Sequence, residues 1–534
     1  MRNSRHQTRR DLLRLFLLSL GIRLAVAALI QRPGYMDAAY YAAGAVRLAQ
    51  GGGLCEQFLW NYLDDPAGIP HPAFLYWMPL PSLLAAPFAA LFPGSFFAIQ
   101  LPFAFISALL PLVAYGLAWE STSQRRIAWL AGLITLFSGY FFPHWTLPET
   151  FAPFALFGSV ALWLAGRWGK GKRWILDVGY WLLIGLLVGL MHLTRADGIL
   201  LLPVVSLAPF LSSLSCRSPS RNTEHAPRFV IIAVIAGYLL VMAPWFARNL
   251  SVVGAPLPPG GTRTLWLTTY DDILCYRCEL SPRMYLAWGW GQILTSKLSA
   301  LWINFQRLLA EDCLIFLFPF AIIGLWRLRR RSSFFLSLIY LLLVYLAHSL
   351  AFTFPGPRGG FFHASVAMLP FLFAAGAEGL DTTIRWVGRQ RRWNLQQARV
   401  VFTGAAVVAA VVLSGYVSME KLLAWRDADA AYIEVGHWLA LEGVEEATVM
   451  VGNPPAFWYH TGRPAVVVPN GDVETLLAVA DRYGASYVTL DWNRPGELAG
   501  LYAGDEHQPR LRPVAVWGEG VDRVVLYRLY AAEH

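Results

Sequence analysis

Long apolar windows recur along this sequence from its beginning to about residue 418, and they constrain the fold more than any other feature. A helix of about 20 such residues crosses the roughly 30 Å hydrocarbon core of a bilayer. The composition agrees, because 56% of the residues are hydrophobic, only 14% are charged and the mean hydropathy is +0.45. We predict a mainly α, polytopic membrane protein of about eleven transmembrane helices. The windows lie at 11–30, 96–118, 127–143, 150–166, 175–192, 198–214, 229–247, 312–326, 333–353, 363–380 and 399–418.

The basic residues between these windows predict the orientation of the chain. Lys and Arg collect on the cytoplasmic side of membrane proteins, and alternate connections are basic, at 123–126, 166–173, 215–221, 327–331 and 385–394. The start, MRNSRHQTRR, is basic too, so we place the N-terminus in the cytoplasm and, with an odd number of spans, the C-terminus outside. We interpret the first window as a retained anchor in the plasma (inner) membrane. The net charge of +9 then reflects topology and does not indicate nucleic-acid binding.

Two regions outside the windows have patterns of their own. The first outer loop, 31–95, contains an amphipathic helix that stops at three glycines and a second helix near 79–92, and we expect both at the membrane interface. The tail alternates helices with strands. We therefore divide the chain into a membrane domain, 1–418, and a small extracytoplasmic α/β domain, 419–534. In the tail the predicted helices lie at 427–441 and 472–483, and the strands at 447–452, 464–469, 486–491 and 521–529.

Asp37 follows the first window directly, in the stretch RPGYMDAAYYAAG. An Asp at the start of a helical run is a favoured N-cap, since its carboxylate accepts hydrogen bonds from free backbone N–H groups. Other ionisable residues predicted nearby favour a catalytic role instead. Charged groups at the bilayer boundary cost free energy, and they normally pair with one another or line a water-filled cavity. Those predicted on the same outer face include Glu149, His192, Arg195, Asp197, Arg358 and His363.

Several short motifs follow one another in a set order through the membrane region. After D-A-A-Y-Y at 37–41 come W-N-Y, P-H-P and Y-W-x-P-L-P-S, then L-F-P-G-S-F-F-A-I-Q-L-P at 91–102 and L-T-R-A-D-G-I-L-L-L-P at 193–203. In this order the sequence resembles the bacterial polyprenyl-phosphate-sugar-dependent glycosyltransferases of the GT-C superfamily. That group includes protein O-mannosyltransferases and lipid A aminoarabinose transferases. The resemblance covers the chain to about residue 418.

The resemblance implies a GT-C-like catalytic membrane domain in which helices of the first outer loop cover a cavity at the outer membrane surface. It also implies that Asp37 is the general base toward the acceptor hydroxyl and that Glu149 is a second catalytic acid residue. Sugar transfer needs such a carboxylate within hydrogen-bond reach of the attacking hydroxyl. A plainer interpretation of Glu149 is a carboxylate beside a helix N-terminus.

The donor phosphate needs positive charge, and arginine binds phosphate bidentately without losing its own charge. The candidates for binding the lipid phosphate of the donor are Arg358, Arg195, His363 and Tyr41. Arg358 lies in the glycine-rich stretch PGPRGG, which lets a backbone approach a ligand, although it also fits an ordinary outer-loop arginine. Arg195 fits a structural ion pair with Asp197 equally well.

A divalent cation, Mg²⁺ or Mn²⁺, is left open by the sequence. Some GT-C relatives place such an ion between carboxylates and the lipid phosphate and others work without metal. Asp37 and Glu149 would supply the oxygen ligands that hard cations prefer. Cys275 and Cys278 lie in an outer loop, where a local disulfide is permitted, while a zinc site there would need two further ligands.

We predict an inverting glycosyltransferase that moves a sugar, by resemblance a hexose such as mannose, from a polyprenyl-phosphate donor to an acceptor hydroxyl outside the membrane. A lipid donor agrees with the lack of a G-x-x-x-x-G-K-[ST] phosphate loop in the sequence. A glycan, a lipid and a protein all stay open as acceptor, and membrane lipids surround the chain. One alternative is a transporter or flippase of lipid-linked saccharides, but the sequence lacks the two similar halves typical of many transporters. A second alternative is a structural membrane partner of a glycan-assembly complex whose own site has decayed.

Overall fold

The computed structural model describes residues 2–167, 174–209 and 226–531. The predicted basic loop 215–221, most of the loop 166–173 and the end of the window 198–214 lie outside the described residues. The helices up to residue 427 are α1 (Arg2–Leu29), α2 (Met36–Ala49), α3 (Leu80–Leu91), α4 (Phe96–Ala108), α5 (Leu110–Thr122), α6 (Arg125–Leu136), α7 (Phe151–Ala165), α8 (Trp174–Thr194), α9 (Leu201–Ser206), α10 (Ala226–Val253), α11 (Gly260–Arg263), α12 (Pro282–Ala287), α13 (Trp290–Arg307), α14 (Phe318–Leu328), α15 (Ser332–Leu346), α16 (Phe361–Ser365), α17 (Leu369–Arg391) and α18 (Leu395–Asp427).

Six stretches of helix within the described residues are long and apolar enough to cross a membrane, and a seventh is obtained if α6 and the 3₁₀ segment after it, bent by 64°, are counted as one span. The chain is thus an integral membrane protein. The predicted number of eleven spans is not confirmed. Several of the predicted windows contain shorter apolar helices, namely Phe151–Ala165, Val178–Thr194, Ala196–Ser206 and Phe318–Leu328. A further short apolar helix, Leu80–Leu91, corresponds to the second helix predicted in the first outer loop.

Small residues bring α8 and α10 into close contact. A Cβ atom on Gly185 would lie 2.1 Å from the carbonyl oxygen of Val234, and one on Gly237 would lie 2.2 Å from the carbonyl oxygen of Leu182. Glycines at a helix interface let two backbones approach in this way. Because α8 ends at Thr194, this contact fixes the position at which Arg195 leaves the helix.

The helix after Asp37 is enclosed on all sides. Eight consecutive residues of α2, from Ala38 to Ala45, are buried, although the sequence pattern predicted an amphipathic helix with one exposed face. Six of these eight residues are alanine or glycine, so α3 can approach closely. The Ser82 hydroxyl donates to the carbonyl of Tyr41 at 2.9 Å. As a result α2 is held rigidly below the outer part of the molecule.

The tail forms an α/β unit around a six-stranded sheet. In order across the sheet its strands are β2 (Phe58–Leu59), β5 (Ala465–Val467), β4 (Thr448–Val451), β6 (Ala485–Leu490), β8 (Val524–Leu529) and β7 (Leu511–Trp517). Strands β2, β5, β4 and β6 run parallel, and β8 and β7 are added antiparallel. The strand β7 and the helix α20 (Pro454–Thr461) were not predicted. The strands are β1 (Cys55–Glu56), β2 (Phe58–Leu59), β3 (His71–Pro72), β4 (Thr448–Val451), β5 (Ala465–Val467), β6 (Ala485–Leu490), β7 (Leu511–Trp517) and β8 (Val524–Leu529), and the tail helices are α19 (Ala430–Leu441), α20 (Pro454–Thr461), α21 (Val473–Tyr483) and α22 (Ala499–Ala503).

The first outer loop and the tail share this sheet. Strand β2 of the loop pairs in parallel with β5, so Phe58 lies opposite Ala465. An ion pair of 3.0 Å joins Arg482 of the tail to Asp65 of the loop. The segment 274–276 lies against the same unit, where the backbone N–H of Asn470 donates to the carbonyl of Leu274 at 2.9 Å. A disulfide joins Cys275 to Cys278.

Candidate active site

A cavity of about 950 Å³ lies where the first outer loop, the ends of the membrane helices and the tail sheet meet. This is at the upper end of the roughly 300–1,000 Å³ usual for small-molecule sites. The residues named as site candidates from the sequence line this cavity, except that Glu149 lies just behind His363. Those at its wall are Asp37, Tyr41, Arg195, Arg358 and His363.

Asp37 lies in the first turn of α2. The N-cap position is Tyr35, and its side chain makes no capping hydrogen bond. Asp37 is thus the second residue of the helix and does not act as the N-cap, although it still faces the positive end of the helix dipole. Its side chain is 27% exposed, and it belongs to the cavity wall. The carboxylate is therefore available to a molecule in the cavity.

His363 connects two carboxylates that are far apart in sequence. Its Nε2 lies 3.6 Å from Oδ2 of Asp37, and its Nδ1 lies 3.1 Å from Oε1 of Glu149. Glu149 is buried and also accepts from the hydroxyl of Thr150 at 3.2 Å and from the backbone N–H of Phe151 at 3.3 Å. Glu149 is thus held in place, and it orients the imidazole toward Asp37. We call Asp37, Glu149 and His363 the outer triad.

The two carboxyl groups have pKa values shifted in opposite directions. Desolvation by the surrounding protein raises the pKa of Asp37 to about 6, and the nearby Glu149 raises it as well, against the opposing effect of His363 and Arg195. Burial alone would raise the pKa of Glu149 too, but the attraction of His363 and its hydrogen bond bring that pKa below the usual value. Carboxyl groups whose environments separate their pKa values are suited to different acid–base roles.

The outer triad also has the donor set of a metal site. One ligand atom from each of Asp37, Glu149 and His363 can be chosen so that all three lie within 4.8 Å of one another. A cation about 2.1 Å from each ligand requires donor atoms roughly 3–4 Å apart. Two carboxylates and an imidazole are donor types that divalent cations accept, so the residues fit such an ion.

A second polar group in the cavity wall contains Arg195. Its Nη2 lies 3.0 Å from Oδ2 of Asp197, and the same oxygen lies 3.1 Å from Nε2 of His348. Arg195 is therefore in the ion pair that the plainer interpretation of the sequence described, yet it also faces the cavity. His348 was missed. The signal that could have found it is a histidine inside an apolar window, since ionisable residues there are rarely without a role.

Arg358 and Tyr41 have different surroundings. Arg358 is exposed, lies in the π-helical turn Gly356–Gly360 and stacks its guanidinium 5.2 Å from the ring centre of Tyr270. Tyr41 is 1% exposed and belongs to the cavity wall. Arg358 can therefore move to meet a phosphate, whereas Tyr41 is fixed in the packing of α2.

No model of a known protein family and no curated protein matches this sequence. Solved structures do match it in fold. ArnT from Cupriavidus metallidurans bound to undecaprenyl phosphate aligns with a TM-score of 0.59 over 97% of this chain and 98% of that one, at 13% identity. The Archaeoglobus fulgidus oligosaccharyltransferase in complex with Zn and sulfate aligns with a TM-score of 0.55 over 91% of this chain and 69% of that one, at 15% identity. The chain thus shares the fold of these structures. The alignment with ArnT spans the tail as well as the membrane region.

Proposed function

We propose that the protein is an inverting glycosyltransferase that takes a sugar from a polyprenyl-phosphate donor and transfers it to an acceptor hydroxyl. The observation that carries the proposal is the outer triad, which places a carboxylate of raised pKa at the wall of a large cavity. The similarity in fold to ArnT bound to undecaprenyl phosphate supports the donor class. The resemblance noted in the sequence favours a hexose such as mannose.

The proposed reaction assigns one role to each group. The acceptor oxygen attacks C1 of the sugar from the face opposite the phosphate, and Asp37 accepts the hydroxyl proton. The bond between C1 and the phosphate oxygen breaks, so polyprenyl phosphate leaves with the electron pair. Arg195 and Arg358 stabilise the charge on that phosphate. Glu149 positions His363, which in turn limits the movement of the Asp37 carboxylate.

A divalent cation bound by the outer triad would supply further positive charge for the departing phosphate. Carboxylates suit Mg²⁺ and Mn²⁺, as expected from the sequence, while an imidazole suits Zn²⁺ and other transition metals better than Mg²⁺. The mixed set therefore favours Mn²⁺ or Zn²⁺ over Mg²⁺. We also propose that the cavity opens on the outer side, with the N-terminus in the cytoplasm and eleven crossings in all, because the basic loops alternate along the sequence.

Transfer of radiolabelled sugar from polyprenyl-phosphate hexoses to an envelope extract tests this proposal. We expect purified protein to transfer label and Asp37→Asn to lower the rate by about 10²–10⁴-fold, the usual effect of removing a general base. Asp65→Asn is the matched control. It changes the same residue type in the same loop, away from the cavity. The ion pair of Asp65 with Arg482 is partly exposed, so its loss costs little stability, and the left-handed backbone at Asp65 (φ 42°) is one that Asn tolerates.

The outcomes separate the alternatives. Equal transfer by wild type and Asp37→Asn would exclude Asp37 as the base. No transfer by any protein, together with movement of labelled lipid across vesicle membranes, would favour the transporter or flippase. A chelator lowers the rate if the outer triad binds a required cation, and leaves it unchanged if the enzyme works without metal.

A further inference from the structure

The tail sheet presents the carboxyl ends of three parallel strands to the cavity. Gly452 follows β4, Asn470 lies just beyond β5 and Asp491 follows β6, and all three residues line the cavity that contains Asp37. In open sheets with parallel strands, ligands bind in the crevice beyond these carboxyl ends. The outer triad occupies the membrane side of the same space. The cavity therefore has two functional walls, and the reaction described above uses only one of them.

Two polar side chains on this wall, Asp491 and Arg494, are held in place by their neighbours. The carboxylate of Asp491 accepts from the backbone N–H of Asn493 at 2.8 Å, and Arg494 donates through Nη1 to the carbonyl of Asp491 at 3.2 Å. The guanidinium of Arg494 also stacks 3.9 Å from the ring centre of Tyr502. A Cβ on Gly452 would lie 3.4 Å from Oδ2 of Asp491. The absent side chain at Gly452 thus leaves the second carboxylate oxygen accessible.

Aromatic side chains line another part of the same cavity. Tyr76, Trp77 and Tyr270 all line it, and Trp77 is held by a stacked contact with Trp60 at 4.1 Å between ring centres. Planar polar side chains such as Asn, Asp and Arg can bind neighbouring hydroxyl groups. Aromatic rings can cover the apolar C–H face of a sugar. The polar residues at the strand ends and these aromatic rings together have the chemistry that a saccharide requires.

We propose that the wall formed by Asn470, Asp491 and Arg494, which we call the strand-end wall, binds a saccharide. The acceptor of the proposed transfer is then a glycan, whose hydroxyl group is directed toward Asp37. This second statement rests on the proposed function, whereas saccharide binding by the strand-end wall does not.

A peptide or a lipid fits this wall less well. An extended peptide binds a sheet by pairing with an edge strand, but β4, β5 and β6 are each flanked by other strands of the sheet and reach the cavity with their ends. A lipid chain needs a continuous apolar surface. The strand-end wall instead offers a carboxylate, an amide and a guanidinium.

Saccharide binding can be measured without a donor and without turnover. The full-length protein is placed in lipid nanodiscs, because glycoside detergents would compete for the site. Saturation-transfer-difference NMR is then recorded with maltotriose, mannotriose and tri-N-acetylchitotriose, and with a short peptide containing Ser and Thr. We expect at least one trisaccharide to bind, and binding to weaken about tenfold in Asp491→Asn and in Asn470→Ala, since a hydrogen bond to a charged group or to a half-buried amide is lost.

Glu497→Gln is the matched control, because Glu497 is an exposed acidic residue on the same connection and is not part of the cavity wall. It should bind the trisaccharide as wild type does. Binding of the peptide with no saccharide signal overturns the proposal. So does an absence of any signal, or saccharide binding that is the same in wild type and both wall variants. A protein that binds trisaccharide through this wall but transfers no sugar would contradict the proposed function alone.

Discussion

Polar clusters lie at both ends of the segment that runs from His363 to Asp381, and they are built in opposite ways. At one end His363 belongs to the outer triad. At the other, 18 residues on and about 27 Å away along a helix, Asp381 forms ion pairs with Arg126, Arg385 and Arg399 at 2.5, 3.0 and 3.1 Å. We call this second group the inner network. In the part of the chain that the structure describes, the ion-pair partner of both Asp37 and Glu149 is instead His363.

The difference distinguishes structural charges from reactive ones. A buried carboxylate with three arginines is fully compensated and has no reason to bind a proton, a metal or a substrate. Two carboxylates that share one imidazole are not fully compensated, and one of them keeps a raised pKa. Incomplete compensation near a cavity is typical of functional sites. We therefore propose a chemical role for the outer triad and a role in helix packing for the inner network.

The strongest test of this assignment is Glu149→Gln. The amide keeps the shape of Glu149 but removes the charge that orients His363, so we expect kcat for transfer to fall by about 100-fold, within the range for acid–base and positioning groups, with little change in KM for the donor. Glu56→Gln is the control, because Glu56 is also a buried outer-loop carboxylate but lies outside the main cavity. If the two variants lose equal activity, the special role of Glu149 is wrong.

The pH dependence of transfer should report the raised pKa of Asp37. A general base acts only when it is deprotonated, so kcat/KM should be constant above the pKa of about 6 and fall by about tenfold per pH unit below it. A bound cation favours the charged carboxylate. Adding Mn²⁺ should therefore move this fall in kcat/KM to lower pH if the outer triad binds the ion. The measurement is the rate from pH 4.5 to 8 with and without Mn²⁺. If kcat/KM without metal began to fall only near pH 4, that result would contradict the environment described for Asp37.

The sequence contained much of the membrane site. Each member of the outer triad was a candidate, because an ionisable residue next to an apolar window is conspicuous and the motif order gave Asp37 a role. The sequence did not reveal that His363 lies between the two carboxylates. That arrangement depends on where α2, the connection before α7 and the short helix α16 meet, and residues 37, 149 and 363 carry no local signal of their mutual distance.

The outer part of the molecule was less predictable. Two residues, Phe58 and Leu59, extend the tail sheet from a loop about 400 residues earlier, and so short a strand has no recognisable period. The strand β7 contains Pro513, which lowers the β propensity of a run that forms an edge strand. The helix α20 begins with two prolines, which suit the first turn of a helix but also fit a loop. The strand-end wall was missed because it depends on the sheet order.

Asp381→Asn should produce the reverse result of Glu149→Gln. Removing the carboxylate leaves three arginines close together, and breaking a fully buried pair costs roughly 3–5 kcal/mol. The three arginine side chains are 34%, 29% and 27% exposed, so solvent reduces the expected loss of stability to about 2 kcal/mol. We expect a lower thermal midpoint in nanodiscs and an unchanged rate per folded molecule. A loss of rate without a loss of stability would give the inner network a role in chemistry.

Arg399→Gln should have the smallest effect, because Asp381 keeps two arginine partners. We expect a loss of stability of about 0.5 kcal/mol, as for a partly exposed ion pair, and no change in the rate of transfer. Arg126→Gln is the matched variant. The double variant should lose more stability than the two single variants lose together, since only Arg385 then compensates the carboxylate. If Arg399→Gln alone lowered stability as much as Asp381→Asn does, the three ion pairs would not be redundant. Compensation at Asp381 would then be as incomplete as at the outer triad, and the contrast between the two ends of the segment would fail.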